Sequence, residues 1–171
     1  VMKIIHTQIY TSPCGDLFLG SLEGKLCICD WVKGKNHQVT INRLQNTLHA
    51  QCSDTSSKTT IEAVRQLEEY FQRKRKTFNI PLLIIGSEFQ QKVWKALLSV
   101  PYGETRSYGW QAAWIGNPKA VRAVGTANGA NPISIFLPCH RIIGNKHQLT
   151  GYGGGLEVKR FLLELESPLL I

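Results

Sequence analysis

The stretch SYGWQAAWIGNPKAVRAVGTANG, residues 107–129, decides how the second half of the chain is built. Ser107 can accept from the backbone N–H groups of a short helix, Tyr108 to Ile115, which stops at Gly116. Asn117 followed by Pro118 reads as the cap and first residue of a further helix, where proline loses no useful N–H. Two short helices joined by Gly-Asn form the pattern of a helix-turn-helix, a pattern that several folds without DNA partners share. The second of them carries Lys119, Arg122 and Thr126 on one side, with Val121 and Val124 on the other. Its remaining residues, Ala120, Ala123, Gly125, Ala127 and Gly129, are small, so its backbone can approach a neighbouring helix or a nucleic-acid groove. One protruding arginine among small residues favours the groove, as a side chain able to enter a base stack.

Working outward, Ser87 and Gln90 have capping-box spacing, and Phe89, Val93, Trp94 and Leu97 make the apolar stripe of the helix they start. Upstream, Thr59 and Glu62 have the same spacing before Ile61, Val64, Leu67 and Phe71, and Arg73 to Lys76 lie where cations favour the helix dipole. The runs IIHTQIY (4–10), DLFLGSL (16–22) and KLCICDWV (25–32) read as strands. Turn residues Ser12-Pro13-Cys14-Gly15 and Glu23-Gly24 separate them, which predicts an antiparallel meander. Residues from Gly34 to Lys58 are polar and aperiodic, read as loop with a short helix. Asn79 to Ile85 reads as a short buried strand or a linker, and the boundary between two domains falls near Gly86, giving 1–85 and 86–171.

At 171 residues the chain can bury a genuine core, in one medium domain or two small ones. Twenty Lys and Arg against twelve Asp and Glu leave a net charge of +8, which suits a polyanionic partner but equally suits mere solubility. No run is long and apolar enough to span a bilayer, and no signal-peptide pattern opens the chain, so a reducing, cytoplasmic setting is expected. Five cysteines, an odd count, fit free thiols there. Cys27 and Cys29 alternate in a strand, which puts both on one face as buried small hydrophobes; no Cys/His pair stands nearby to make a metal site.

The most informative segment is Asn131-Pro132-Ile133-Ser134-Ile135-Phe136-Leu137-Pro138-Cys139-His140-Arg141. An apolar, strand-like run ends at Pro138, which fixes the approach to Cys139. A lone Cys after Pro reads as structural, whereas adjacent His and Arg favour thiolate over thiol. The residues alone leave both readings open.

Pro138-Cys139-His140-Arg141 resembles the active-site signature of the O6-alkylguanine-DNA alkyltransferases, the methylated-DNA–protein-cysteine methyltransferases. Ser107-Tyr108, Gly116-Asn117-Pro118-Lys119-Ala120, Arg122-Ala123-Val124-Gly125, Asn131-Pro132, Gly151-Tyr152 and Leu162-Leu163 to Glu166 are similar to the family's pattern, in its order, from about Gly86 to Glu166. The amino-terminal part is similar only in length and layout. The resemblance implies a ribonuclease-H-like α/β domain (antiparallel sheet plus helix) followed by a mainly α domain with a winged helix-turn-helix.

It also implies a function: one irreversible transfer of an alkyl group from O6 of guanine in DNA, with O4-alkylthymine a further substrate, and no cofactor. Cys139 is then the acceptor, His140 the base acting through a bridging water, and Glu166 the group that orients the imidazole. Tyr108 donates to the guanine ring nitrogen and presses on the neighbouring phosphate. Arg122 fills the gap left by the flipped base, and Lys119, Ala123 and Thr126 complete the DNA-binding face. Asn131 holds the helix-turn-helix to the active-site turn. Cys139 and Ile142 backbone reads the base edge, opposite Tyr152, Gly153 and Gly154, with Gly151 and Gly155 in the same close-approach loop. The partner implied is double-stranded DNA, met in the minor groove by a monomer, in the cytoplasm or a eukaryotic nucleus.

This sequence departs from the family's pattern at Trp110, usually polar, and Gln111, usually apolar. Some members carry zinc in the amino-terminal domain; no ligands stand out here, so no metal is expected. Three other classes compete. A helix-turn-helix regulator needs no reactive thiol, a lesion-binding relative without repair lacks the cysteine, and a cysteine hydrolase needs an oxyanion site that the sequence does not display.

Overall fold

The computed structural model describes residues 2–146 and 148–167. The chain divides into two compact units, Val1–Ile85 and Gly86–Ile171.

The first unit is a four-stranded sheet with helices. Strands β1 (Lys3–Ser12), β2 (Gly15–Leu22) and β3 (Lys25–Trp31) form the meander expected from the sequence. Glu23 and Gly24 close the β2–β3 hairpin with both φ angles positive, at 51° and 83°, the two-residue turn whose twist matches its strands. Then α1 (His37–Leu48) leads into β4 (Ala50–Ser53), which pairs with β1 in parallel and makes the order β3-β2-β1-β4. The sheet is therefore mixed, not purely antiparallel. A helix carries the chain from β3 back to the far edge, and such a crossover delivers a parallel strand.

Alternation along β2 sends Leu17, Leu19 and Ser21 to one face and Phe18 and Leu22 to the other. Phe18 meets His37 of α1 edge-on, and Leu44 of α1 joins Ile5, Leu22, Cys27, Ile28 and Ala50 in one cluster. On the opposite face Ser21 Oγ meets Ser57 Oγ at 2.6 Å, where α2 (Lys58–Phe71) begins. The cap of α2 is Ser57 with Thr60, not Thr59 with Glu62: Glu62 turns instead to Arg65, at 2.6 and 2.8 Å. Cys27 and Cys29 do not share a face. A register shift opposite Gly20/Ser21 makes Cys27 an extra residue in β3, so it joins the α1-side cluster while Cys29 pairs with Leu19. None of the five cysteines is disulfide-bonded, and among the described residues no His, Cys, Asp and Glu group is placed to hold a metal ion. Leu82 bridges to Leu26 in the segment read as a strand or linker.

The second unit is mainly helical. Helix α3 (Glu88–Ala96) starts with the Ser87/Gln90 capping box and buries Val93 and Trp94. A 3-10 turn (Leu97–Ser99) follows, then β5 (Arg106–Ser107), α4 (Tyr108–Trp114) capped by Ser107, and α5 (Val121–Gly129). Helix α5 begins later than Asn117 and Pro118 suggest. Asn117 spends its carbonyl on Ala120 N (3.0 Å) in a separate turn, Ala120 is the cap residue, and Lys119 lies before the helix. Val121 is correspondingly exposed, not part of the buried side. A second 3-10 turn (Cys139–Arg141) leads into β6 (Ile142–Ile143), and α6 (Leu156–Glu166) closes the unit. Among the described residues no helix is long and apolar enough to cross a membrane.

Candidate active site

Two backbone devices bring the site together. β5 and β6 run parallel, with Arg106 opposite Ile142 and Ser107 opposite Ile143. Tyr108 directly follows β5, and the Cys139 turn directly precedes β6, so the pairing sets them side by side. The second device is the segment before Cys139, which is a buried turn and not a strand. Leu137 N donates to Ile133 O at 2.9 Å, and Ile135 sits at φ 72°, a conformation that β-branched residues rarely adopt. The turn stays folded because Ile133, Ile135 and Leu137 are all buried.

Asn131 ties this turn to the sulfur. Its Nδ2 donates to Leu137 O (2.8 Å) and Cys139 Sγ (3.3 Å), while its Oδ1 accepts from Ile133 N (3.0 Å). Cys139 is 7 % exposed, buried yet with a path outward.

Next to it stands a fully buried charge relay. His140 Nε2 and Glu166 Oε2 are 2.7 Å apart. Arg141 grips the same carboxylate through Nε to Oε1 (2.8 Å) and Nη2 to Oε2 (3.0 Å), and donates Nη1 to Val100 O (2.8 Å). Burial works to raise the Glu166 carboxyl, but His140 and Arg141 outweigh it and hold it far below the usual carboxylate range. A carboxylate only accepts, so the imidazole carries its proton on Nε2. Burial pushes the His140 pKa below 6.5 against the pull of Glu166, which keeps the ring neutral near pH 7. The lone pair therefore lies on Nδ1, which is buried and has no hydrogen-bond partner among the described residues. Arg141, read from the sequence as a cationic neighbour of the thiol, is spent on Glu166 instead.

Tyr108, at the start of α4, donates its hydroxyl to Thr150 O (3.2 Å) and accepts from Thr150 Oγ1 (3.1 Å). Burial, together with the charge of Cys139, raises its pKa against the Thr150 bond, so it remains a phenol donor. Ile142 is buried, whereas Tyr152 and Gly154 are half-buried and Gly153 exposed in the loop before α6. Gly151 and Gly155 adopt φ 35° and 96°, and a Cβ on Gly151, Gly153 or Gly155 would meet open space. Conformation, not crowding from within the chain, calls for glycine at positions 151 and 155.

Lys119, Arg122, Ala123 and Thr126 are all exposed. Arg122 and Thr126 stand one turn apart on α5, with Thr126 Oγ1 bonded to Arg122 O (3.2 Å). Gln111 and Trp110, the two departures, have distinct fates. Gln111 is fully buried with Nε2 on Val93 O (2.9 Å), while Trp110 stacks on Trp114 under Arg106.

Sequence reasoning missed Lys159. It is fully buried, with Nζ on Ile142 O (2.6 Å), Thr150 O (2.7 Å) and Gly151 O (3.4 Å). A signal existed: residues 159, 162, 163 and 166 form one helical stripe, with Leu162 and Leu163 flanked by a lysine and a glutamate.

Comparisons with known proteins follow this division of the chain. Residues 5–84 match the ribonuclease-like domain of the 6-O-methylguanine DNA methyltransferase family, and residues 88–168 match its DNA binding domain. The chain is 46 % identical over 164 residues to a methylated-DNA–protein-cysteine methyltransferase of Methanosarcina acetivorans, covering 95 % of this chain and 99 % of the relative. It is 46 % identical over 161 residues to the constitutive enzyme of that name from Bacillus subtilis, covering 91 % of each. A crystal structure of Mycobacterium tuberculosis OGT in complex with DNA is similar with a TM-score of 0.83 and 44 % identity, over 95 % of this chain and 93 % of that one.

Proposed function

Because the chain belongs to the 6-O-methylguanine DNA methyltransferase family, we propose that it reverses DNA damage directly, moving an alkyl group from O6 of guanine onto Cys139. The observation that carries this reading is the buried His140–Glu166 pair beside Cys139, with His140 Nδ1 left able to accept a proton.

The chemistry follows from these positions. A water bridging Cys139 and His140 Nδ1 takes the thiol proton and passes one to the imidazole; Glu166 then stabilises the imidazolium, itself balanced by Arg141. Sequence neighbours rarely bond directly, so a relayed contact suits residues 139 and 140. The thiolate attacks the alkyl carbon, the S–C bond forms, and the C–O6 bond breaks with its electron pair going to guanine. Tyr108 donates toward the guanine ring nitrogen, so the base leaves near neutral. Asn131, bonded to the sulfur, keeps it aimed.

A thioether has no ready leaving group at an sp3 carbon, so each molecule reacts once. No cofactor enters the balance. The acceptor pocket is walled by the backbone at Cys139 and Ile142 on one side and by Tyr152, Gly153 and Gly154 on the other.

The protein binds double-stranded DNA through a winged helix-turn-helix built on α4 and α5. It enters the minor groove as a monomer with Lys119, Arg122, Ala123 and Thr126 toward the duplex, and Arg122 fills the stack vacated by the flipped base. Such work on chromosomal DNA belongs in the cytoplasm, or the nucleus of a eukaryotic cell. O4-alkylthymine presents the same reacting group and is a second substrate. The roles assigned to Lys119, Ala123, Thr126, Tyr152, Gly153 and Gly154 rest on their place in the family's pattern and on their exposure.

The test is intact mass after mixing with duplex DNA holding one O6-methylguanine, followed by peptide mapping. A gain of one methylene on Cys139, one per molecule, is the expected result. Tight binding without any mass change would leave a lesion-binding protein and make the cysteine structural.

A further inference from the structure

The alkyl-transfer mechanism leaves one buried cation unused. Lys159 lies on the stripe of α6 that also supplies Glu166, and its side chain is wholly inside the protein. Its three hydrogen bonds go to the carbonyls of Ile142, Thr150 and Gly151, not to a carboxylate. Burying an ammonium without a countercharge is expensive, so some benefit elsewhere offsets it. Those carbonyls bracket the loop from β6 to the glycines, and Thr150 is also the partner of Tyr108. The ammonium stands 5.9 Å from the centre of the Tyr108 ring. The groups facing it are thus Tyr108 from α4, and Cys139 and His140 from the 3-10 turn. Of these, Cys139 becomes an anion in the reaction, and Arg141 is already committed to Glu166.

We propose that Lys159 is a positioning residue for alkyl transfer, whose buried ammonium favours the thiolate of Cys139 while its hydrogen bonds fix the Ile142–Gly151 backbone beside Tyr108. The inference rests on the alkyl-transfer reading above. A cation beside a thiol stabilises the ionised form, and the thiolate returns the favour. Burial pushes the Lys159 pKa down to about 8, while the charge of Cys139 pulls it up. At neutral pH the ammonium is therefore charged, but only by a narrow margin. Two ionisations in contact titrate as a coupled pair.

Two measurements test this. In the first, the rate of transfer from an O6-methylguanine duplex is followed across pH for the native protein, Lys159→Met and Lys159→Arg. Removing the charge should move the acid limb of the Lys159→Met profile at least one pH unit higher. That shift costs about tenfold in rate below the limb, with recovery at alkaline pH. Lys159→Arg, which keeps the cation, should hold the limb in place. A role in loop structure alone would lower the Lys159→Met rate by one factor at every pH, and that result would overturn the proposal.

The second measurement needs no transfer and no change at 159. The ε-carbon resonance of Lys159 is titrated in the native protein and in Cys139→Ser, which removes the thiolate at nearly constant size. The Lys159 midpoint should fall in Cys139→Ser; an identical midpoint sinks the proposal even if Lys159→Met does not fold. A native protein that leaves methylated DNA untouched, yet shows the midpoint shift, would refute the alkyl-transfer reading and not the Lys159–Cys139 coupling.

Discussion

Gln111 and Asn128 exchange reciprocal hydrogen bonds in the buried seam between α4 and α5: Asn128 Nδ2 to Gln111 Oε1 at 2.7 Å, and Gln111 Nε2 to Asn128 Oδ1 at 3.1 Å. Since Gln111 also reaches Val93 O on α3, one amide fixes three helices. Gln111→Leu should cost about 1–3 kcal/mol, because the Asn128 amide is left buried without its partner. Gln111→Leu combined with Asn128→Leu should recover much of that loss, as replacing both partners removes the orphan. Urea unfolding of the two variants reads the difference. A double variant no more stable than the single one would show that the pair is not the cause.

The relay also sets acid stability. The His140 pKa in the folded protein lies below its ordinary 6.5, so an unfolded chain binds the proton first and stability is lost as pH falls through 6.5. Glu166 is likewise depressed, so its contribution is complete above 4.5 and is lost as pH falls below that value. Stability should thus fall in two stages. His140→Gln should flatten the first stage relative to the native protein. Glu166→Gln should remove its share of the second, and should also cost about 3–5 kcal/mol at neutral pH by leaving Arg141 uncompensated. Unfolding midpoints between pH 3 and 8 in the three proteins check both, using the cited pKa directions.

Tyr108→Phe keeps the ring against Gly125, where contact distances are ordinary, and removes only the hydroxyl shared with Thr150. If the phenol donates to the departing base, transfer should slow by about a hundredfold, the low end for a lost proton donor. Binding to the alkylated duplex should change little. Single-turnover rates and duplex affinity, measured on the same protein, separate chemistry from recognition.

Arg122 is exposed on α5, and its proposed place is inside the base stack. Unstacking a base costs a few kcal/mol, part of which a planar guanidinium can recover by stacking. Arg122→Ala should therefore impair repair in duplex by about tenfold or more, while leaving reaction with a free alkylguanine base nearly unchanged. Equal losses on both substrates would remove the finger role.

Much of this arrangement was legible from local patterns. Ser87 with Gln90 and Ser107 before Tyr108 both cap as their spacing predicts, because each hydroxyl sits next to a single helix start. The α2 start was misread because Ser57 and Thr59 both offer a hydroxyl, and nothing local reveals that Glu62 is taken by Arg65. Asn117-Pro118 misled for a related reason, since the same pair serves a turn as well as a helix start. Strand β4 has four residues and finds its partner across the sheet, so its periodicity carries almost no signal. At the site, Cys139 and His140 were visible as neighbours, but the tasks of Arg141 and Lys159 depend on what lies opposite them. Only the folded chain shows that one faces a carboxylate and the other three carbonyls.

The wide sequence spacing of the relay orders events during synthesis. His140 meets Glu166 across 26 residues, Arg141 meets Val100 across 41, and Tyr108 meets Thr150 across 42. While a ribosome is still adding α6, Cys139 has already been made, yet its base has no carboxylate to orient it. Chains grow at roughly 5–20 residues per second, so this interval lasts a second or more. The cysteine is therefore an ordinary thiol throughout its exposed infancy. Its reactivity arrives with the last helix, when the turn that holds it is already enclosed.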